Sequence, residues 1–221
     1  MTKKNEDLHG SVPDKSEVAL LLIDVINDLE FDNGTALLEY ALPMARQIKE
    51  LKRRAKAAGV PVVYVNDNFG RWQSDFSKLL KHCLEEGVCG RPLAKLLQPE
   101  GDDCFVLKPK HSGFFPTTLD TLLDYLQVKT LILTGLTADI CVLFTANDAY
   151  MRDFNLIIPA DCVACDKLDQ TKHALAHMAR VLKADIRPSG EIDLAKFERE
   201  LKAEHEPQPQ GQAPQFAPRV E

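Results

Sequence analysis

Apolar and polar positions fall into two kinds of block that alternate along this 221-residue chain. Short, nearly unbroken apolar runs occur at VALLLID (18–24), PVVYVND (61–67), CFVLKP (104–109), TLILTGL (130–136) and NLIIPADCV (155–163). Continuous runs, rather than strict alternation, suit strands buried on both faces. Between them lie stretches whose apolar residues recur near every 3.6 positions. NGTALLEYALPMARQIKELKRRAKAAGV (33–60) predicts a helix closing at Gly59, with Pro43 at a break or near its first turn. TTLDTLLDYLQ (117–127) predicts another, with Thr117 or Thr118 as N-cap, and DICVLFTANDAYMRDF (139–154) and LDQTKHALAHMARVLKA (168–184) two more. ADIRPS is read as a short sixth strand. Strands alternating with helices imply a three-layer αβα domain around a mainly parallel, doubly wound sheet of five or six strands.

Composition divides the chain further. Residues 1–16 are polar and read as a flexible arm, 17–204 as the folded domain, and 205–221, rich in Pro and Gln, as a disordered tail. Segment 68–101, with Gly87, Gly90 and Gly101 and the only tryptophan, Trp72, is irregular and is read as a lid. Lys and Arg number 27 against 33 Asp and Glu, a net charge of -6, which argues against a nucleic-acid partner. No apolar run approaches the roughly 18–20 residues of a membrane span, and the first residues carry no apolar signal core. Six cysteines, at 83, 89, 104, 141, 162 and 165, are expected as reduced thiols in a cytoplasmic setting. Cys162 and Cys165 form a CxxC, which without a second pair or nearby histidines is a weak zinc or redox signal.

In an open parallel sheet, ligands bind beyond the carboxyl ends of the strands. The polar groups predicted there are Asp24 after the first strand, Lys108 at the end of the third, and Cys141 at the start of the helix after the fourth. Together they suit nucleophilic acyl chemistry. A nearby ammonium and a helix N-terminus both favour a thiolate, and a buried carboxylate can take the thiol proton and return it to a leaving amine. Singly, each has an ordinary alternative: a core thiol, a loop carboxylate and a solvated surface charge.

Four ordered blocks carry a resemblance: ALLLIDVINDLEF (19–31), VLKPKHSGFFPTTLDTLL (106–123), LILTGLTADICVLFTANDA (131–149), and IIPADCVACDK with KHALAHM (157–178). From about Val18 to Ile186 the chain resembles the isochorismatase-like cysteine hydrolase superfamily, which includes nicotinamidases, N-carbamoyl amino-acid amidohydrolases and isochorismatases. The resemblance implies an Asp24–Lys108–Cys141 triad. Cys141 forms a thioester, Asp24 acts as base, then acid, then activator of water, and Lys108 stabilises the thiolate. It also implies a cis peptide at Leu136–Thr137, with the N–H groups of Thr137 and Cys141 forming an oxyanion hole.

The chain departs from the family pattern at Ile26, where many members have Gln, and at Ala138, where many have Thr; both bear on the substrate. The metal-binding branch uses an Asp-x-His stretch, but here Phe69 follows Asp67 at that spacing. Neither metal nor cofactor is therefore expected. The leading expectation is a metal-independent hydrolase of a small amide or carbamoyl compound, assembled as a dimer or tetramer. The alternatives are a vinyl-ether hydrolase and a catalytically idle binding member. Asn66, Trp72 and Phe114 are candidate substrate contacts. His111, three residues after Lys108, could imitate a Cys–His pair, but is read as an exposed loop histidine because Lys108 already fills the cationic role. His173 and His177 are read as surface residues, and Asp161 as a loop-holding carboxylate.

Overall fold

The computed structural model describes residues 15–70, 75–195 and 197. The tail 205–221, Trp72 and all of the N-terminal arm except Lys15 and Ser16 lie outside them. Ser16 is buried; its N–H donates to the Leu126 carbonyl at 2.8 Å and its hydroxyl to the Val18 carbonyl at 2.7 Å.

Six parallel strands form one sheet: β1 Val18–Ile23, β2 Val62–Asp67, β3 Cys104–Lys108, β4 Thr130–Leu136, β5 Asn155–Ile157 and β6 Val163–Ala164. The order is β3-β2-β1-β4-β5, with β6 also on β4. The helices are α1 Gly34–Ala57, α2 Phe76–Cys83, α3 Arg91–Leu96, α4 Leu119–Leu126, α5 Cys141–Tyr150 and α6 Leu168–Val181. Every residue of β1 is buried, and its side chains divide by parity. Leu20 and Leu22 join one core with α1, α2 and α3, while Leu21 and Ile23 join a second with α4, α5 and α6. This two-sided burial is why β1 reads as an unbroken apolar run.

Several elements differ from the sequence reading. The predicted fifth strand is two pieces, β5 and β6, separated by the Pro159–Cys162 turn, where the Cys162 N–H donates to the Pro159 carbonyl at 2.9 Å. The expected sixth strand at ADIRPS is reduced to one isolated bridge, Ile157 to Asp185. Pro43 causes no break in α1. It lies on the solvent side, and the carbonyl it leaves unbonded, that of Glu39, also belongs to an exposed residue, so water can serve it. The described part of segment 68–101 contains two short helices, α2 and α3. α2 is tied to the sheet by Phe76, whose ring stacks on Phe105 of β3 at 4.4 Å, and α3 by the Tyr64 hydroxyl, which donates to the Leu97 carbonyl at 2.9 Å.

The chain runs β1, β2, β3 outward, then returns to place β4 on the other side of β1. That reversal opens a crevice at the strands' carboxyl ends. Gly135 permits the close β1–β4 approach there. Its φ is 111°, and a Cβ at this position would lie 2.0 Å from the Ile23 carbonyl oxygen. At the other end of the sheet, buried Lys52 of α1 donates to Asp103 at 2.6 Å and to the Tyr64 hydroxyl at 3.1 Å, fixing the entry to β3.

Candidate active site

Three strand ends meet at this crevice. β1 stops at Asp24, whose φ of 51° turns the chain. β3 ends on Lys108, which is fully buried. β4 leads through a turn in which the N–H groups of Ile140 and Val142 donate to the Thr137 carbonyl at 3.2 and 3.1 Å, and Cys141 opens α5. The Leu136–Thr137 peptide is cis, and the Thr137 hydroxyl oxygen is buried with no partner among the described residues.

The side chains converge. Lys108 Nζ is 2.8 Å from Asp24 Oδ2 and donates to Cys141 Sγ at 3.4 Å. A further carboxylate, Asp67 Oδ2, lies 3.5 Å from the same ammonium. The Asp67 N–H donates to Asp24 Oδ1 at 2.7 Å, which fixes the second carboxylate oxygen. Asp24 and Lys108 have almost no exposure, whereas Cys141 is half-buried, so the thiol forms the open side of the cluster.

Burial raises the Asp24 pKa above the usual carboxylate range, against the opposing pull of Lys108. For Lys108, burial disfavours the charge, but Asp24, Cys141 and Asp67 outweigh it and raise the pKa. Burial, reinforced by the Asp24 charge, pushes the Cys141 thiol up to about 12 despite Lys108. Lys108 pulls toward the thiolate, as expected, but burial and the Asp24 charge oppose it more strongly, so a base in contact with the thiol assists attack. Asp24, which hydrogen-bonds the thiol, is in that position.

His111 also reaches the sulfur. It is exposed, as read from the sequence, yet its Nδ1 stands 3.9 Å from Cys141 Sγ, and its ring packs on Phe144 with centroids 5.4 Å apart. The sequence offers a Cys–His pair here as the less favoured reading, and the loop-to-helix contacts that bring the two together are what spacing alone does not show.

Other candidates lie elsewhere. Asn66 is fully buried and donates to the Ile26 carbonyl at 2.7 Å, so its amide ties β2 to the loop after β1. Phe114 is not brought to the thiol. It is buried in the core beside Phe154, under the Arg152 guanidinium, 4.7 Å from its ring centre. Ile26 and Ala138, the two departures from the family pattern, are both completely buried and apolar. Cys162 and Cys165 are free and belong to opposite cores, so the CxxC forms neither a bridge nor a joint ligand pair. Asp161 holds a loop, accepting from the Ser189 N–H at 2.7 Å and hydroxyl at 2.8 Å, and His173 and His177 are exposed.

A cavity of about 150 Å³ opens next to the cluster on the α2 side, lined by Asp67, Phe69, Lys78, Leu79, His82 and Leu107. It shares Asp67 with the Lys108 cluster. At its edge Asp28, Glu30 and His82 bring ligand-type atoms within 4.8 Å of one another, the one such group among the described residues, and one that sequence spacing did not suggest. Asp67 itself is engaged by Lys108 and by the Phe69 N–H, which donates to it at 2.6 Å.

A family profile described as "Isochorismatase domain" matches residues 18–186. Among curated proteins, the chain is 40% identical over 178 residues to the uncharacterized isochorismatase family protein YaaI of Bacillus subtilis, covering 80% of this chain and 97% of that protein. It is 30% identical over 142 residues to the ureidoacrylate amidohydrolase RutB of Methylorubrum extorquens, covering 54% of this chain and 56% of that protein. Among solved structures, the N-carbamoylsarcosine amidase of Thermoplasma acidophilum superposes with a TM-score of 0.62 at 27% identity, covering 80% of this chain and 99% of that one.

Proposed function

The chain belongs to the isochorismatase family of hydrolases, and we propose that it cleaves a C–N bond of a small amide or carbamoyl compound through a thioester on Cys141. The observation that carries this reading is the contact of one half-buried thiol with both a buried ammonium and a buried carboxylate. Asp24 takes the thiol proton as Sγ attacks the carbonyl carbon. Lys108, held by Asp24 and Asp67, keeps its charge and stabilises the sulfur anion during attack. The N–H groups of Thr137 and Cys141, both on the turn that closes on the Thr137 carbonyl, receive the developing oxyanion. The relatives support a C–N bond as target: RutB is named for ureidoacrylate, and the Thermoplasma enzyme for N-carbamoylsarcosine.

The reading requires no metal and no cofactor. A homo-oligomer in a reducing, cytoplasmic setting belongs to it as well. Exposed Ile140, Phe144 and Met151, which form one stripe along α5, support self-association, and six free cysteines support the setting. Light scattering on the purified chain gives the oligomeric state directly.

The test is an ammonia-release screen over small amides, ureides and carbamoyl acids, with Cys141→Ala as blank. Ammonia from the wild type alone supports the reading. Pyruvate released from a vinyl ether, with no ammonia from any amide, replaces it with vinyl-ether hydrolysis. No product from any compound, together with ligand binding that is unchanged in Cys141→Ala, leaves a binding protein.

A further inference from the structure

Cys141 Sγ is approached from two directions. Asp24 and Lys108 lie behind it, buried in the sheet, and His111 stands in front, on the solvent side. A histidine on a loose loop would be unremarkable there, but this loop is held at both ends. Lys108, three residues earlier, is fixed in β3. The two residues after His111 are bonded to α5: the Ser112 hydroxyl donates to Asp148, and the Gly113 N–H donates to the Thr145 hydroxyl at 3.0 Å. Thr145 in turn donates to the Cys141 carbonyl at 2.7 Å. Gly113 is packed so closely that a Cβ there would lie 2.8 Å from Val65 Cγ1. Phe144 supports the imidazole ring from α5. The histidine is thus set over the thiol by the same helix that carries the thiol.

The 3.9 Å separation of Nδ1 from Sγ is long for a direct hydrogen bond. It leaves room for a substituent on the attacked carbon to bridge the two atoms. Once that carbon is bonded to sulfur, its leaving nitrogen lies about 2.7 Å from the sulfur, and a hydrogen bond to Nδ1 adds a side of about 2.8 Å. These lengths close a triangle on a 3.9 Å base. The leaving amine departs to solvent and the hydrolytic water arrives from solvent, so both use the face that His111 occupies. An imidazole nitrogen can carry a proton or accept one, which suits it to give a proton and take one back within a cycle.

We propose that His111 is a catalytic residue that serves the leaving nitrogen and the hydrolytic water, two roles the resemblance gives to Asp24, while Asp24 serves the sulfur. This rests on the amide-hydrolase reading above. In acylation the thiol proton passes to Asp24, sulfur bonds to the carbonyl carbon, and the C–N bond breaks. Its electron pair goes to nitrogen, which takes the Nδ1 proton of the imidazolium. In deacylation water bonds to the thioester carbon and gives its proton to Nδ1. The C–S bond then breaks, and sulfur recovers the proton held on Asp24. The sum is amide plus water giving acid plus ammonia, with both residues restored.

The experiment compares His111→Gln with the wild type on two substrates. One is the amide turned over fastest in the ammonia screen; the other is p-nitrophenyl acetate, whose leaving group needs no proton. The variant is expected to lose about 10²-fold or more in kcat on the amide. With the ester it should release a burst of one nitrophenolate per chain at the wild-type rate, followed by a slowed steady state as the acetyl-enzyme waits for water. In His111→Ala, added imidazole should restore part of the amide turnover. Wild-type amide turnover by His111→Gln overturns the proposal, and so does an ester burst slowed as much as the amide reaction. Undiminished amide hydrolysis by Cys141→Ala would instead remove the thioester reading on which the proposal stands.

Discussion

Lys108→Met isolates the electrostatics of the site. Methionine is unbranched and fills most of the volume, but it leaves Asp24 buried without the ammonium that stands 2.8 Å away. At that separation and an effective dielectric of about 20, the attraction lost is on the order of 6 kcal/mol. Because lysine's own desolvation cost disappears with it, the net penalty is about 3–5 kcal/mol. Asp67 also loses a partner, but it is partly exposed and water can compensate. The variant has one way to limit the loss, which is to protonate Asp24. A free carboxyl with a pKa of about 3.9 costs about 1.4 kcal/mol to protonate per pH unit above that value. That is roughly 5–6 kcal/mol at about pH 8 and about 1.5 kcal/mol at about pH 5. The Asp24 pKa is already raised in the wild type and rises further in the variant. The folded variant therefore binds more protons than its unfolded chain, and its stability increases as pH falls. Urea unfolding of both proteins at the two pH values should show a gap of about 3–5 kcal/mol at the higher pH, shrinking by about 2 kcal/mol or more at the lower. Asp24→Asn in the same background removes the stranded charge and should recover much of the loss at the higher pH. A gap independent of pH, or a double variant no more stable than Lys108→Met, would refute this account of the buried pair.

Other outcomes follow from the same geometry. Asp24→Asn leaves the thiol without a base and should lower kcat on the amide by at least about 10²-fold. Since burial raises the Asp24 pKa, the acid limb of the wild-type kcat/KM profile should lie above the usual carboxylate range, with activity rising as pH increases through it; a limb at or below the ordinary value contradicts that assignment. Gly135→Ala drives a methyl group to 2.0 Å from the Ile23 carbonyl oxygen. It should cost about 3 kcal/mol or more in urea unfolding, and a loss under about 1 kcal/mol would show that β1 and β4 separate easily. Treatment with EDTA followed by desalting should leave ammonia release unchanged. Loss of activity with recovery on adding zinc would assign a metal role to the Asp28–Glu30–His82 group instead.

The strands that position the site are written in local composition. β1 and β4 are buried on both faces, so their sequences are continuous apolar runs; Asp24 stands out as a polar residue just beyond β1, whereas Cys141, five residues past β4, reads alone as a core thiol and gains its role only beside Asp24 and Lys108. Segment 68–101 carries little periodicity, because α2 has only 8 residues and α3 only 6. Their place depends on distant partners such as Phe105 and Tyr64 rather than on periodicity. The balance of influences on the thiol is only partly legible from spacing. A lysine and a helix N-terminus are visible in sequence, but the depth of burial and the closeness of Asp24, which outweigh them, are not. Phe114, a candidate pocket aromatic in the sequence, is sent into the core by the turn after Ser112. The same turn lifts His111 over the sulfur through bonds to residues more than 30 positions away.

The central claim is a covalent acyl intermediate on Cys141. It is tested most directly by acid-quenching the enzyme during turnover of an amide found in the screen and weighing the peptide that contains Cys141. The account predicts an added acyl mass on Cys141 in the wild type, labile to hydroxylamine as a thioester is, and absent from Cys141→Ala, which releases no ammonia. Steady turnover with no adduct on Cys141, or ammonia release undiminished in Cys141→Ala, would contradict it.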